Sequence, residues 1–256
     1  PLRLVGSEMC IRDRYYRDVL KRQAVVNPNL LFVYRKEEPN GSFTESQYLY
    51  ENGISDYVQE LAGDTALTSI QYWNCQREGK DREDKPTYKV KLSVALTFSN
   101  RVQQIEYYHN SSFLEHGGSP ERAVKQAFVS QLDSWLKSNG KYLKNESKIT
   151  FADVEDCLIL VSSSFSTQTS YENQTKKAIT NKFIYEAMTD FLKHQLEIYL
   201  IENPDEAAKI AEQVLLNKRS RENAEKTRLN MKKKLAGTID VTNMIPKFVD
   251  CRSKDL

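Results

Sequence analysis

The sequence predicts an α/β fold, and three observations carry that expectation. "YKVKLSVALTFSN" alternates cleanly, placing Val90, Leu92, Val94, Leu96 and Phe98 on one side of a strand. Two helices are marked by start signals, Ser119-Pro120 and Asn203-Pro204, each ahead of periodic apolar residues. A further strand is expected between them, from about Cys157 to Phe165.

The chain of 256 residues has room for one large domain or two smaller ones. Its 39% hydrophobic and 28% charged content describes an ordinary globular protein rather than a disordered one. Net charge is +2, so attraction for an anionic partner must come from local clustering. No apolar run approaches the roughly 20 residues of a membrane span, and no secretory signal pattern is present. Cys10, Cys75, Cys157 and Cys251 form no CxxC pair, which points to free thiols in a reducing compartment rather than a metal site or disulfide framework. Without a secretory context, the sequons at Asn40, Asn110, Asn145 and Asn173 carry no weight.

"PLRLVGSEMCIRDR" shows no clear period and no graded lead into the helical pattern "YYRDVLKR". It resembles translated sequencing-adapter read-through, so Pro1 to about Arg14 is expected to be non-native and is set apart from the fold. After that helix come an Asn-Pro turn, a strand over Leu30 to Arg35, and a Pro-Asn-Gly turn. "NGISDYVQELAG" spaces Ile54, Tyr57, Val58 and Leu61 helically, with Gly63 as its stop and a domain boundary nearby.

"TSIQYWNC" is a looser strand candidate before the clean one. The charged "REGKDREDKPT" between them is expected to be a solvated hairpin tip. In "EHGGSPERAVKQAFVSQLDSWLKSNGK", Ser119 is the expected N-cap and Pro120 the first helical residue. Val124, Ala127, Phe128, Leu132 and Trp135 form its buried stripe, and Gly140 closes it. A short capped turn in "ITFADVE" then leads to the Cys157–Phe165 strand. Next comes "YENQTKKAITN", a polar loop whose chemistry alone does not say whether its side chains reach a ligand.

A helix carrying Phe183, Ile184, Ala187, Met188, Phe191 and Leu192 follows. The last helix is expected to be capped by Asn203, with Glu206 completing a capping box. Running to about Ala236, it would extend roughly 45–50 Å. Its later part is basic: Lys218, Arg219, Arg221, Lys226, Arg228, Lys232, Lys233 and Lys234 stand against Glu222 and Glu225. Without further context, such a run reads as a solvated helix face.

Three landmarks in order resemble the ATPase subunit of bacterial type IIA topoisomerases, the family of DNA gyrase B and its topoisomerase IV counterpart. "HNSSFLEHGGSPE" resembles the asparagine-to-EGGTH segment that opens the first helix of the family's transducer domain, with Ser-Pro standing where the family has Thr-His. "QTKKAITN" resembles the family's QTK loop, and "KFVDCRSKD" resembles the junction leading to its Toprim domain. The resemblance spans about Tyr15 to the end and covers both gyrase and topoisomerase IV.

It implies a remnant of the GHKL ATPase domain over 15–63, a transducer over 64–236, and a junction toward a missing Toprim domain over 237–256. The transducer implied is a mixed or antiparallel sheet, covered by helices on one face, with a left-handed βαβ crossover and a long C-terminal helix. The resemblance also assigns roles. Gln174 and Lys176 would contact the terminal phosphate of ATP bound with Mg2+ in the ATPase domain, whereas Lys177 has no matching role and should be solvated. Lys218, Arg219, Arg221 and Arg228 lie where the apolar stripe thins after Leu216. Core packing does not explain them, and a subset is expected to face double-stranded DNA.

Further implied are a gyrase A-like partner, a homodimer on ATP binding, and a cytoplasmic enzyme with no membrane role. The resemblance implies that this fragment holds no catalytic residue or complete metal site of its own and is inactive alone. The alternatives are the transducer of an Hsp90- or MutL-like ATPase, or a stand-alone basic-helix nucleic-acid binder.

Overall fold

A computed structural model describes residues 2–238 of the chain. The "KFVDCRSKD" junction lies outside the described residues. Helix α1 (Leu2–Val26) leads into an antiparallel hairpin of β1 (Phe32–Glu37) and β2 (Phe43–Tyr48), then α2 (Ile54–Ala62). The main sheet has five strands in the order β3 (Gln71–Gly79), β4 (Tyr88–Phe98), β7 (Leu158–Ser166), β5 (Gln104–His109), β6 (Ser112–Phe113). Only β5 and β7 pair in parallel, so the sheet is mixed. The crossover between them carries α3 (Ser119–Ser138) and the short α4 (Phe151–Glu155). Two helices, α5 (Lys182–Glu202) and α6 (Pro204–Thr238), end the described chain.

The alternation read in the sequence is the core of this sheet. Val90, Leu92, Val94, Leu96 and Phe98 are each at most 1% exposed, and they pack with Val124, Ala127, Phe128 and Leu132 of α3. Burying each such side chain contributes about 1.5–3 kcal/mol. The start of α6 joins the same core through Ala207, Ile210, Ala211, Val214 and Leu215.

Helices α3 to α6 all pack on this one face, as expected, and the opposite face is covered by α1 and α2, which precede the sheet in the chain. There Ala95, Tyr108, Ile159 and Val161 pack beneath Ile54, Tyr57 and Val58 of α2 and Ala24 and Val25 of α1. The unbroken apolar run Leu158–Val161 in the central strand is what burial on both sides requires.

Helix α1 runs continuously from Leu2 through the stretch set apart, where the Asp13 carboxyl is held low mainly by a hydrogen bond from Tyr34. Strands β2 and β5 escaped the periodicity argument for different reasons. The β2 segment "FTESQY" is mostly exposed, so no buried face imposes a pattern. In β5 the buried positions include polar Glu106 and His109. Glu106 accepts hydrogen bonds from Tyr57 at 3.0 Å, Tyr108 at 2.6 Å and Gln104 at 2.9 Å.

Two helix starts also differ from the caps expected. Gly118, not Ser119, is the cap of α3, and the Ser119 hydroxyl accepts from Arg122 instead. Glu206 forms no capping box with Asn203, because its carboxylate accepts from the Ser69 backbone N–H at 2.8 Å and from the Tyr199 hydroxyl at 2.5 Å. The capped turn at α4 is present, with the Thr150 N–H and hydroxyl both donating to Asp153.

Candidate functional site

The segment "YENQTKKAITN" forms a small hairpin of its own. Thr180 N–H donates to Ser170 O at 2.8 Å and Glu172 N–H to Ala178 O at 3.0 Å, closing its base. A turn closes its tip: Lys176 N–H donates to Asn173 O at 3.3 Å, and the Asn173 side chain accepts from Thr175. Lys176 takes a left-handed backbone, φ 56°. Gln174 and Lys176 are thus both exposed at a hydrogen-bonded tip.

The two lysines of the loop differ in their surroundings. Lys177 is paired with Glu115 ahead of α3 in a half-exposed surface ion pair, so it stays in contact with solvent. Lys176 has no carboxylate partner among the described residues, and its Nζ lies 5.6 Å from the Tyr171 ring centroid. Its charge is available to a ligand in a way that Lys177's is not.

Three anchors fix the hairpin to the domain. At its base, Ser119 N–H donates to Ile179 O at 2.8 Å, and the Gly118 backbone bridges Ile179. A Cβ on Gly118 would lie 2.2 Å from Ile179 O, and its φ is +84°, so glycine is required there for close approach. On the strand side, buried His109 contacts Ser164 Oγ through Nδ1 at 2.8 Å and Thr169 Oγ1 through Nε2 at 2.9 Å. Burial lowers the His109 pKa to about 4, so the ring is neutral. Asn110 adds a donor to Ser166 O at 3.0 Å and accepts from Ser166 N–H at 2.9 Å.

The third anchor is Asp81, in the turn expected to be a solvated tip. Its carboxylate accepts from Phe183 N–H at 2.8 Å, Asn181 Nδ2 at 2.9 Å and the Tyr88 hydroxyl at 3.0 Å. A carboxylate there satisfies an orphan N–H at the start of α5 and complements the helix dipole. The rest of the tip, residues 82–87, is exposed as expected, and Asp81 at its base is the exception. No local signal revealed this role, because the cap belongs to a helix a hundred residues downstream.

The basic run of α6 is divided by its partners. Lys218 is fully buried and contacts Glu146 at 3.1 Å and Glu222 at 3.4 Å. Arg219 grips Glu146 with Nε and Nη2, both at 3.0 Å, and Arg221 grips Asp153 at 2.7 and 3.1 Å. The view that packing does not explain these three residues is therefore corrected: buried carboxylates hold them against the sheet domain. Sequence reading missed Glu146 and Asp153 as their partners, since neither is near α6 along the chain. Of the four expected to face DNA, Arg228 projects furthest into solvent, at 64% against 40% for Arg219 and 37% for Arg221, with its neighbour Glu225 at 3.2 Å as its partner among the described residues.

A family model described as DNA gyrase B matches residues 53–230. The chain belongs to the DNA gyrase B family. The DNA gyrase B protein of Metamycoplasma arthritidis is 31% identical over 216 residues, covering 83% of this chain and 33% of that protein. Its counterpart from Streptococcus pyogenes serotype M1 is 26% identical over 222 residues, covering 86% of this chain and 32% of that protein. The chain thus spans about a third of the length of the curated relatives it matches.

Two solved structures share the fold. The 43K ATPase domain of Thermus thermophilus gyrase B aligns with a TM-score of 0.63 at 21% identity, over 84% of this chain and 55% of that one. The topoisomerase IV ATP binding domain of Francisella tularensis aligns at 0.58 and 20%, over 81% and 53%. The mixed sheet covered by helices and the long last helix are therefore the family's architecture. Among the described residues, no helix is long and apolar enough to cross a membrane.

Proposed function

We propose that this chain is the coupling part of an ATP-dependent type II DNA topoisomerase of the gyrase B kind, and that its "QTKKAITN" loop senses the terminal phosphate of ATP. One observation carries this reading: Gln174 and Lys176 stand exposed at a braced turn, Lys176 without a carboxylate partner among the described residues, while Lys177 pairs with Glu115. A lysine ammonium supplies charge-assisted hydrogen bonds to phosphate, and a glutamine amide adds a neutral donor. This donor set suits the terminal phosphate of ATP held with Mg2+ by an ATPase domain. ATP supplies the charge that the loop reads. The residues of this chain contribute only binding and position.

The bracing supports a coupling role. A loop anchored through Gly118, His109 and Asp81 hands any displacement to α3, the sheet and α5 together. Such coupling requires two arrangements of the braced unit, biased by the ligand. On this reading the complete enzyme is a cytoplasmic homodimer on ATP binding, works with a gyrase A-like partner, and passes one DNA duplex through another. The isolated chain hydrolyses no ATP.

The test is made in the full-length protein. Lys176→Ala should lower ATP turnover by a factor corresponding to about 2–4 kcal/mol while leaving the fold intact. Gln174→Ala should have a smaller effect in the same direction, and Lys177→Ala should act mainly on stability. Equal turnover losses from Lys176→Ala and Lys177→Ala contradict the assignment, as does ATP hydrolysis by the isolated chain.

A further inference from the structure

The Asp81 turn and the two ends of the loop line an open cleft of about 490 Å³, apart from the loop tip. Asp81, Arg82, Lys85, Ser170, Asn181 and Lys182 are the polar groups that decide its character. Its volume falls within the roughly 300–1,000 Å³ range of small-molecule sites.

The donor and acceptor inventory is unbalanced. Asp81 is its one carboxylate, and both oxygens are already engaged by Tyr88, Phe183 and Asn181. The Asn181 amide is likewise committed, to Asp81 and Tyr88. The groups with capacity to spare are cations. Arg82 and Lys85 are exposed, and neither has a carboxylate within 4.0 Å among the described residues. Lys182 has only an exposed intrahelical pairing with Glu186 at 3.4 Å. A planar guanidinium fork beside two ammonium groups matches an anion presenting several oxygens in different directions.

We propose that this cleft binds a small polyphosphate anion of about pyrophosphate size, through Arg82, Lys85 and Lys182. Ser170 and Asn181 line the cleft and also close and anchor the loop hairpin, so an occupant braces the loop from below. This site is separate from Gln174 and Lys176 and does not depend on their role.

The experiment is calorimetric titration of inorganic pyrophosphate into the chain at low salt. Wild type should bind, and Arg82→Ala combined with Lys85→Ala should weaken binding roughly tenfold or more. Both residues are exposed in a turn, so the variant should fold, which an unchanged melting curve verifies. Lys176→Ala, which probes the loop tip, should weaken pyrophosphate binding much less than the double variant does. The proposal is overturned if wild type does not bind, or if the double variant binds equally well. It also fails if Lys176→Ala abolishes binding, which places the anion at the loop tip. Finally, if duplex DNA binding but not pyrophosphate binding depends on Arg82 and Lys85, the cleft belongs to a nucleic-acid surface and the proposal fails.

Discussion

Lys218 Nζ lies 3.1 Å from Glu146 Oε1, with the lysine side chain fully buried and the carboxylate only 7% exposed. Arg219 closes on the same carboxylate, and its hydrogen bond is the first cause holding the Glu146 pKa down at about 2. Removing two charges from water is costly, so the pairing is stable only while each partner is present. It fixes the middle of α6 to the segment joining α3 and α4, and Arg221 with Asp153 adds a second tie one turn along.

Glu146→Gln should therefore destabilise the chain by about 3–5 kcal/mol, because it leaves a buried ammonium poorly compensated. Adding Lys218→Met should recover part of the loss. The depressed carboxyl also sets a direction with pH. Its contribution is complete above the ordinary value near 4.5 and is lost as pH falls toward 2. Denaturant unfolding at several pH values measures both effects. A Glu146→Gln loss below about 1 kcal/mol would show that solvent screens the pair.

His109 gives a dependence in a different window. Its pKa is lowered to about 4 by burial, against an ordinary 6.5, so the folded chain binds this proton later than the unfolded chain as pH falls. Stability should thus decline between about pH 6.5 and 4, by about 3 kcal/mol from this group. His109→Gln should flatten the profile across that window while retaining the acid limb due to carboxylates. An unchanged slope in the variant would mean the ring is not the group responsible.

Gly118 tests the loop anchor by geometry. Gly118→Ala places a methyl group 2.2 Å from Ile179 O at a positive φ, and should cost about 2–4 kcal/mol. Gly140, with φ +59° and nothing within 4 Å of an added Cβ, is the control and should cost about 1 kcal/mol on substitution. Amide exchange at Ser119 and Thr180 should accelerate in Gly118→Ala beyond the change explained by global stability. Matching effects at the two glycines would remove the close approach as the cause.

What the sequence revealed, and what it hid, follows from how each residue acts. Strand β4 and the buried stripes of α3 and α5 were legible because periodic burial writes itself into local spacing, except that Leu136 rather than half-buried Trp135 ends the α3 stripe. The role proposed for the loop tip rests on resemblance to a family, since Gln174, Lys176 and Lys177 carry no local distinction in the sequence. Asp81, Glu146 and Asp153 were hidden because each meets a partner more than sixty residues away. A charged residue in a turn looks solvated until topology brings a helix end or a buried cation to it. The basic run of α6 misled for the same reason, as carboxylates distant in sequence neutralise its first turns.

On the function proposed above, that division of α6 sets where DNA contact should be sought. Lys218, Arg219 and Arg221 are committed to Glu146 and Asp153, whereas Lys226, Arg228, Lys232 and Lys233 are exposed beyond them. Ion pairs from exposed cations to phosphates are sequence-independent and release counterions, so their number appears in the salt dependence of binding. Arg228→Ala combined with Lys232→Ala should weaken duplex binding and lower the slope of log K against log salt by about 0.9 for each phosphate no longer neutralised, with an unchanged melting temperature. Arg221→Ala should do the reverse, lowering stability through the stranded Asp153 while sparing the salt slope. If the slope is indifferent to Arg228 and Lys232, the end of α6 is a solvated face and the duplex is held elsewhere.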